Sequence, residues 1–189
     1  MRDQKTRTLV ECGLLVALAI VLSLITVYEL PQGGSITAAS MMPLVIISFR
    51  HGPKWGLLSG AVYGLLQIVP LGGIKNVMYC KTFIAMVLCV LLDYLVAYGM
   101  MGLASIFGAP IKNRDAGVAV GTAVSGLLRY LCSFLSGVIL WGEYAPEDMP
   151  VWLYSLTYNG SYMIPEIILT VVAAVLVMRV LDRSKISNQ

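Results

Sequence analysis

The fold of this chain is decided by apolar stretches such as residues 152–180, which read WLYSLTYNGSYMIPEIILTVVAAVLVMRV. This stretch contains a single acid, Glu166, and is longer than the roughly 20 apolar residues that a transmembrane helix needs. Five separate apolar stretches precede it, at residues 8–28, 36–49, 55–71, 83–107 and 116–141. The sequence therefore predicts an all-α integral membrane protein in which residues 1–189 form one domain of six transmembrane helices.

Composition and charge agree with a position in the bilayer. Of the 189 residues, 58% are hydrophobic and 12% are charged, whereas soluble domains carry about 25% charged residues. Lys75 and Lys81 lie on one side of the predicted membrane, and ten basic residues lie on the other: Arg2, Lys5, Arg7, Arg50, Lys54, Lys112, Arg114, Arg179, Arg183 and Lys185. Since basic residues concentrate in cytoplasmic loops, we expect both termini in the cytoplasm and a multi-pass protein of the plasma membrane, surrounded by lipid.

The side-chain chemistry indicates that the chain is not an enzyme. Its one histidine, His51, lies in a predicted cytoplasmic turn, and no predicted span supplies a base for a serine or cysteine nucleophile. A nucleotide-binding loop is absent, so the chain cannot hydrolyse ATP by itself. No metal, cofactor or nucleic acid is predicted, because no histidine accompanies the intramembrane acids and the cysteines form no CxxC pair: Cys12, Cys80, Cys89 and Cys132.

Three ionisable side chains fall inside predicted spans: Asp93 in the fourth, Arg129 in the fifth and Glu166 in the sixth. Such groups are costly in a membrane and are therefore candidates for function. Two interpretations are open at this point. Either Arg129 pairs with one acid in a purely structural network, or one carboxylate is left to recognise a ligand.

Two polar and aromatic stripes lie on the fifth and sixth predicted spans. At helical spacing the fifth span aligns Arg129, Ser133, Gly137 and Trp141. The sixth span aligns three tyrosines and places an amide on nearly the same face as Glu166: Tyr154, Tyr158, Tyr162 and Asn159. An aromatic cage beside a carboxylate suits a flat organic cation, through cation–π contacts worth about 0.5–2 kcal/mol each. The alternative is an interfacial aromatic belt, which membrane proteins commonly have.

Small residues at spacing four indicate close contacts between helices. For the third predicted span we expect packing inside the bundle along a ridge of glycines: Gly52, Gly56, Gly60 and Gly64. On the first span, Gly13 and Ala17 form a similar ridge that is a candidate docking surface for a partner. Residues 29–35, ELPQGGS, are too polar for a span and form either a cover over an external cavity or a plain turn.

Five segments of the chain, in order and spacing, resemble the thiamine-specific substrate-binding subunit of energy-coupling-factor vitamin transporters: LPQGGS (30–35), SFRHGPKWG (48–56), LDY (92–94), RYLCSFLSG (129–137) and YSLTYNGSY (154–162). The resemblance covers nearly the whole chain. It implies a six-helix membrane subunit that captures thiamine from outside with high affinity. It also implies partners, namely one transmembrane coupling subunit and two cytoplasmic ATPases, and it assigns the contact with them to Gly13 and Ala17.

The same resemblance implies a set of thiamine-binding residues. The ligand-binding acid of the family corresponds to Asp93, with Tyr94 beside it, and the tryptophan that stacks on the ligand corresponds to Trp141. Gly137 corresponds to the glycine that lets the ligand approach the fifth helix. Two positions on the sixth helix correspond to polar contacts: Tyr154 and Asn159. These assignments suit the ligand, because an indole can cover a thiazolium cation, and a carboxylate and an amide can pair with an aminopyrimidine edge.

The chain departs from the family pattern at two places. Ser133 occupies the position where family members usually carry a histidine, and the loop between the first two spans has Gln32, Gly33 and Gly34 where some members carry a tryptophan. Our hypothesis is that thiamine still binds, less tightly than in relatives that carry the histidine. Two alternatives remain. In one, the chain binds another heterocyclic vitamin or a thiamine precursor; in the other, it is a structural or channel-like bundle that binds no ligand.

Overall fold

The computed structural model of the chain describes residues 2–31, 33–69 and 71–187, and the side chains of the last helix up to Asp182. Gln32, and the side chains of Arg2, Arg183 and Lys185, lie outside the described residues, so the expectations that involve them are not tested. The described residues are mostly helical, with nine α-helices and two short strands.

The helices are α1 (Arg2–Leu24), α2 (Met42–His51), α3 (Pro53–Ile68), α4 (Ile74–Tyr79), α5 (Phe83–Cys89), α6 (Val96–Met101), α7 (Ala104–Gly108), α8 (Arg114–Leu140) and α9 (Val151–Ser187). A π-helical turn, Val90–Leu95, joins α5 to α6, and a short 3-10 helix, Gly142–Tyr144, follows α8. The strands are β1 (Thr26–Glu29) and β2 (Ser35–Thr37).

Helix starts follow local chemistry. The side chain of Thr82 accepts a hydrogen bond from the Ala85 amide at the start of α5, and Asn113 does the same for Ala116 at the start of α8. α2 and α3 begin with a proline in the first turn, where the missing N–H costs nothing.

Four helical segments of the described chain are long and apolar enough to cross a membrane: Asp3–Leu24, Phe83–Met101, Arg114–Leu140 and Val151–Asp182. The predicted second and third spans correspond to α2, with 10 residues, and α3, with 16 residues. Both are shorter than the roughly 20 residues that a perpendicular crossing needs. The arrangement with six spans therefore stays a prediction, as does the orientation of the termini.

The strands Thr26–Glu29 and Ser35–Thr37 pair as an antiparallel hairpin, where the first helix was expected to continue to residue 28. Thr26 pairs with Thr37 and Glu29 pairs with Ser35. The helix ends at Leu24 because the following Ile-Thr-Val-Tyr run favours a pleated strand over a helix. Gly33 and Gly34, with φ of +90° and +91°, turn the chain between the strands. The predicted all-α chain thus contains one small sheet.

The glycine ridge of α3 packs against the span that contains α5 and α6, as expected. A Cβ atom at Gly56 would collide with the backbone of Gly102, and one at Gly60 would collide with the carbonyl of Tyr98. Gly64 lies equally close to the carbonyl of Tyr94. Gly52, by contrast, lies in open space at the junction of α2 and α3. These contacts fix the backbone at the end of the π-helical turn and in the segment that follows it.

The apolar core lies around α2. Leu44, Val45 and Ile47 are fully buried, and residues 43–48 all lie in the interior. Buried side chains of α1, α6 and α9 join this cluster, for example Met101 and Met178. A helix that is apolar on all sides needs neighbours on all sides, which explains why a helix of 10 residues is stable at the centre of the bundle.

Candidate functional site

A cavity of about 550 Å³ lies under the β1–β2 hairpin, within the size range of small-molecule sites. Its walls come from α3, the loop and helix at residues 71–79, the π-helical turn, α8 and α9. All nine residues that the sequence analysis assigned to the ligand or to the buried charges line this one cavity: Asp93, Tyr94, Arg129, Ser133, Gly137, Trp141, Tyr154, Asn159 and Glu166.

Asp93 lies in the π-helical turn, and such turns often occur at functional sites. Its Oδ2 accepts hydrogen bonds from Ser136 Oγ at 2.7 Å and from Trp141 Nε1 at 3.4 Å, and it lies 3.6 Å from Cys89 Sγ. All three contacts use the same carboxylate oxygen. Within the described part of the chain Oδ1 has no partner, so it remains available to a molecule in the cavity.

Tyr94, the neighbour of Asp93, is tied to the wall of the cavity. Its hydroxyl donates to the Gly73 carbonyl at 3.1 Å and lies 3.4 Å from Asn76 Nδ2. Neither Gly73, just before α4, nor Asn76, within that short helix, was assigned to the site, because a helix of six residues is too short to give a periodic signal. Tyr94 therefore holds the segment before α4 against the site.

Aromatic rings form the outer part of the cavity. Trp141 follows the last residue of α8, and its ring centroid lies 6.1 Å from that of Tyr144. On α9, the ring of Tyr158 lies 5.6 Å from Tyr154 and 6.4 Å from Tyr162. The two predicted stripes therefore face one cavity, and an aromatic surface stands beside the Asp93 carboxylate.

The amide of Asn159 is occupied by contacts within the protein. Its Nδ2 donates to the carbonyl of Ser155 at 2.9 Å and lies 3.2 Å from Ser155 Oγ, while its Oδ1 accepts from Tyr162 Oη at 2.8 Å. Gly137 makes this arrangement possible, because a Cβ atom there would collide with the Ser155 side chain. Gly137 thus allows α8 and α9 to approach each other directly beside the cavity.

Arg129 and Glu166 both line the cavity, yet no ion pair joins Arg129 to Glu166 or to Asp93 in the described residues. The guanidinium carbon of Arg129 lies 4.5 Å from the ring centroid of Tyr98. Glu166 accepts two hydrogen bonds of 2.6 Å from Thr37, one from the backbone amide and one from the hydroxyl. The purely structural interpretation expected Arg129 to pair directly with an acid. The described residues contain no such pair.

The β1–β2 hairpin covers the cavity. Glu29, Leu30 and Pro31 line it from the hairpin side. Tyr158 Oη donates to the Gly33 carbonyl at 2.8 Å, and Gly34 packs so closely on the Tyr162 ring that a Cβ atom would collide with it. Of the two expectations for residues 29–35, the cover over a cavity is confirmed for the described residues.

Gly13 and Ala17 lie apart from the cavity, on an exposed face of α1. A Cβ atom at Gly13 would meet no atom within 4 Å. Nearby, Glu11 forms an ion pair with Arg50 at 2.5 Å, and its other carboxylate oxygen lies 3.2 Å from His51 Nε2. The ridge is therefore a smooth surface that no described part of this chain covers.

Comparison with known proteins identifies the family of the chain. Residues 9–186 match the family model of the thiamine transporter protein (Thia_YuaJ). The chain is 34% identical to the thiamine transporter ThiT of Bacillus subtilis (strain 168) over 186 residues, which is 93% of this chain and 92% of the relative. It is 28% identical to the thiamine transporter ThiT of Lacticaseibacillus paracasei over 141 residues, or 70% of this chain and 67% of the relative.

The fold has a counterpart among solved structures. The structure of ThiT from Listeria monocytogenes superimposes with a TM-score of 0.75, covers 94% of this chain and 96% of that chain, and shares 20% sequence identity. This likeness concerns the fold, whereas the family model and the Bacillus relative concern the sequence over nearly its whole length. This chain belongs to the thiamine transporter protein family.

Proposed function

We propose that this chain is a non-enzymatic, multi-pass subunit of the plasma membrane that binds thiamine from outside and passes it to an ATP-driven module. The observation that carries the proposal is the free Oδ1 of Asp93 beside Trp141, in a covered cavity of about 550 Å³. The curated relatives are named thiamine transporters, which makes thiamine the first ligand to test. Thiamine is then the cargo and not a cofactor.

The charges of the cavity suit a monocation. Its lining contains three acids and two bases: Glu29, Asp93, Glu166, Lys75 and Arg129. Their formal charges sum to −1, so a ligand with one positive charge restores neutrality in a place where unbalanced charge is costly. Thiamine carries one such charge, on its thiazolium ring.

The proposed binding mode uses both ends of the ligand. The indole of Trp141 covers the thiazolium through a cation–π contact, and Asp93 Oδ1 accepts a hydrogen bond from the amino group of the pyrimidine. Tyr94 keeps the wall beside Asp93 in place. Four further residues shape the pocket or contact the ligand from α8 and α9: Ser133, Gly137, Tyr154 and Asn159. Asn159 Nδ2 must release Ser155 before it can donate to the ligand, whereas Oδ1, which accepts one hydrogen bond from Tyr162, has a second lone pair available.

The topology we propose has six spans in a single domain of residues 1–189, with both termini in the cytoplasm. The four long segments supply four crossings, and α2 and α3 supply the other two, since the buried α2 lies inside the bundle and needs no contact with lipid. The excess of basic residues at one end supports this orientation.

The partners we propose are one transmembrane coupling subunit and two ATPase subunits. The chain needs them because its sequence contains no nucleotide-binding loop. Gly13 and Ala17 are the proposed contact, since they form an exposed smooth ridge that allows another helix to approach closely.

Tryptophan fluorescence tests the proposed ligand. We would titrate the purified protein in detergent with thiamine and follow indole emission, which a ligand stacked on Trp141 should quench. We expect saturable quenching in the nanomolar to low micromolar range, lost in Trp141→Phe and in Asp93→Asn. Trp152, which is 55% exposed on the outer face of α9, offers the matched control, because Trp152→Phe should keep the response.

A competition series separates thiamine from the alternatives. If the pyrimidine or thiazole half of thiamine, or another heterocyclic vitamin, binds more tightly than thiamine, the substrate assignment is wrong. If no compound binds while Asp93→Asn lowers only thermal stability, the chain is a structural bundle. Uptake of thiamine by the purified chain alone in vesicles would contradict the need for an ATP-driven partner.

A further inference from the structure

Arg129 presents a buried guanidinium at the cavity for which the proposed binding mode has no use. Its side chain is only 9% exposed, and it lines the cavity. It lies on the face of the Tyr98 ring, which makes an edge-to-face contact with Tyr63 at a centroid distance of 4.9 Å. No acid of the described residues lies within ion-pair distance of it.

The Arg129 side chain forms a hydrogen bond with the side chain of Tyr98, but part of its hydrogen-bonding capacity is unused. A guanidinium has five N–H donors. One terminal nitrogen, Nη1, lies 2.7 Å from Met163 Sδ, and a thioether sulfur is a weak acceptor. Nε is buried and has no partner among the described residues. A buried cation is costly inside a membrane, and donors without a partner add to that cost. We therefore expect the unpaired donors of Arg129 to bind an acceptor that the protein itself does not supply.

Arg129 lies at a depth that a ligand held by Asp93 can reach. Ser136, which donates to Asp93, is seven residues further along α8 than Arg129, or about 10 Å along the helix axis. Ser133 lies between them and also lines the cavity. Because its side chain is short, the space beside Asp93 continues toward the guanidinium.

The nearby amide of Asn159 does not compete for this role. Both of its polar atoms already bond to Ser155 and Tyr162. When the amino group of a heteroaromatic ring binds Asp93, the ring nitrogens still need a hydrogen-bond donor. Arg129 has donors available for them, whereas those of Asn159 are already used.

Charge decides what kind of acceptor fits. The formal charge of the cavity lining is −1, and a monocationic ligand already neutralises it. An anionic group at Arg129 would add negative charge to a site that also contains the carboxylate of Glu166. An uncharged acceptor satisfies the donors and leaves the balance intact.

We infer that Arg129 contacts the ligand and donates a hydrogen bond to an uncharged acceptor, the pyrimidine ring nitrogen remote from the amino group. Asp93 accepts a hydrogen bond from that amino group. This inference rests on the proposed thiamine function and adds a specificity-determining residue to it. The aminopyrimidine is then recognised on two edges. Asp93, in the π-helical turn between α5 and α6, accepts from one edge, and Arg129, on α8, donates to the other.

The test compares two ligands on three proteins. The ligands are thiamine and its pyridine analogue, in which the remote ring nitrogen is replaced by C–H. The proteins are the wild type, Arg129→Lys and the matched control Arg114→Lys, which changes an exposed arginine at the other end of α8. Dissociation constants come from titration calorimetry in detergent, and gel filtration and thermal melting check the fold.

We expect the wild type to bind the pyridine analogue about 10- to 100-fold more weakly than thiamine, the loss of one hydrogen bond to a charged group. Arg129→Lys should bind thiamine more weakly by a similar factor and lose most of the discrimination, because an ammonium lacks the planar fork. Arg114→Lys should behave like the wild type.

Equal affinity of the wild type for both ligands would overturn the inference, and so would full discrimination in a folded Arg129→Lys. Tighter binding of thiamine monophosphate than of thiamine, lost in Arg129→Lys, would also overturn it and assign an anion site instead. If Arg129→Lys does not fold, the wild-type comparison of the two ligands still decides. Failure of the wild type to bind thiamine at all is a different result and contradicts the proposed function.

Discussion

At Ser133 the wall of the cavity is formed by one of the shortest polar side chains. The residue is buried and lies between Arg129 and Gly137 on the face of α8 that lines the cavity. A larger ring at this position would stack on a bound pyrimidine and fill space that water otherwise occupies. In the proposed binding mode, the residue therefore sets how tightly the cavity encloses thiamine.

We predict that Ser133→His lowers the dissociation constant for thiamine about 10-fold, since an imidazole adds a stacking surface and a hydrogen bond. Titration calorimetry measures the change, and Ser133→Ala is the control that removes the hydroxyl without adding a ring. An unchanged or weaker affinity in the histidine variant would mean that the short side chain is not what limits binding.

Single residues of the site could be predicted to different extents. Asp93, Arg129 and Glu166 are recognisable because ionisable groups inside apolar stretches are rare, and the structure brings all three to one cavity. Thr37 and Ser136, which bind the two acids, gave no such signal. Their roles depend on contacts between distant segments, which neither composition nor periodicity records.

At the scale of elements, the β1–β2 hairpin is fastened over the cavity at two points. Thr37 binds Glu166 with its amide and its hydroxyl, and Gly33 binds the hydroxyl of Tyr158. We expect a ligand under the hairpin to leave only when these contacts open. The strength of the fastening should therefore govern the dissociation rate more than the association rate.

We predict that Thr37→Val, which removes one hydroxyl donor to Glu166, raises the thiamine dissociation rate about 10-fold. Stopped-flow displacement with excess unlabelled ligand measures this rate. Thr157→Val is the matched control, because Thr157 is exposed and its hydroxyl bonds only to the backbone of its own helix. Equal rates in the wild type and Thr37→Val would show that the hairpin is not the barrier to release.

The contact between α3 and the α5–α6 span positions Asp93 through the backbone. We predict that Gly60→Val destabilises the protein by about 1–3 kcal/mol, because the new side chain collides with the Tyr98 carbonyl. Thermal melting in detergent measures the loss, with Gly13→Ala as the control, since a Cβ atom at Gly13 meets nothing within 4 Å. Equal melting temperatures for the wild type and Gly60→Val would contradict this packing.

Elements were predictable where long apolar runs specify them. α8 and α9 begin within two residues of the predicted starts at 116 and 152. Three features were not predicted: the end of α1, the shortness of α2 and the presence of α4. Hydropathy reports only how long an apolar run is. It does not distinguish a helix from a strand, or a buried helix from a membrane span. The π-helical turn at Asp93 has no sequence signal at all.

At the scale of the whole molecule, the ligand site and the proposed partner surface are separate. The cavity lies under the hairpin, whereas Gly13 and Ala17 lie on an exposed face of α1 that contributes none of the cavity lining. Binding and coupling should therefore be separable by mutation.

We predict that Gly13→Leu leaves the dissociation constant for thiamine unchanged and abolishes thiamine uptake in cells that express the coupling subunit and the ATPases. We expect the added side chain to prevent close approach of a partner helix, and a Cβ atom at this position meets no atom of this chain within 4 Å. Calorimetry and radiolabelled uptake are the two measurements, with Gly13→Ala as the mild control. Normal uptake by Gly13→Leu would place the partner contact elsewhere.

The central claim is that the cavity under the hairpin binds thiamine between Trp141 and Asp93. A crystal structure of the protein grown with saturating thiamine tests it most directly. We predict one thiamine in the cavity, its thiazolium on the face of the Trp141 indole and its amino group within hydrogen-bond distance of Asp93 Oδ1. A cavity filled only by water at saturating thiamine, or thiamine bound at another surface, would contradict the claim.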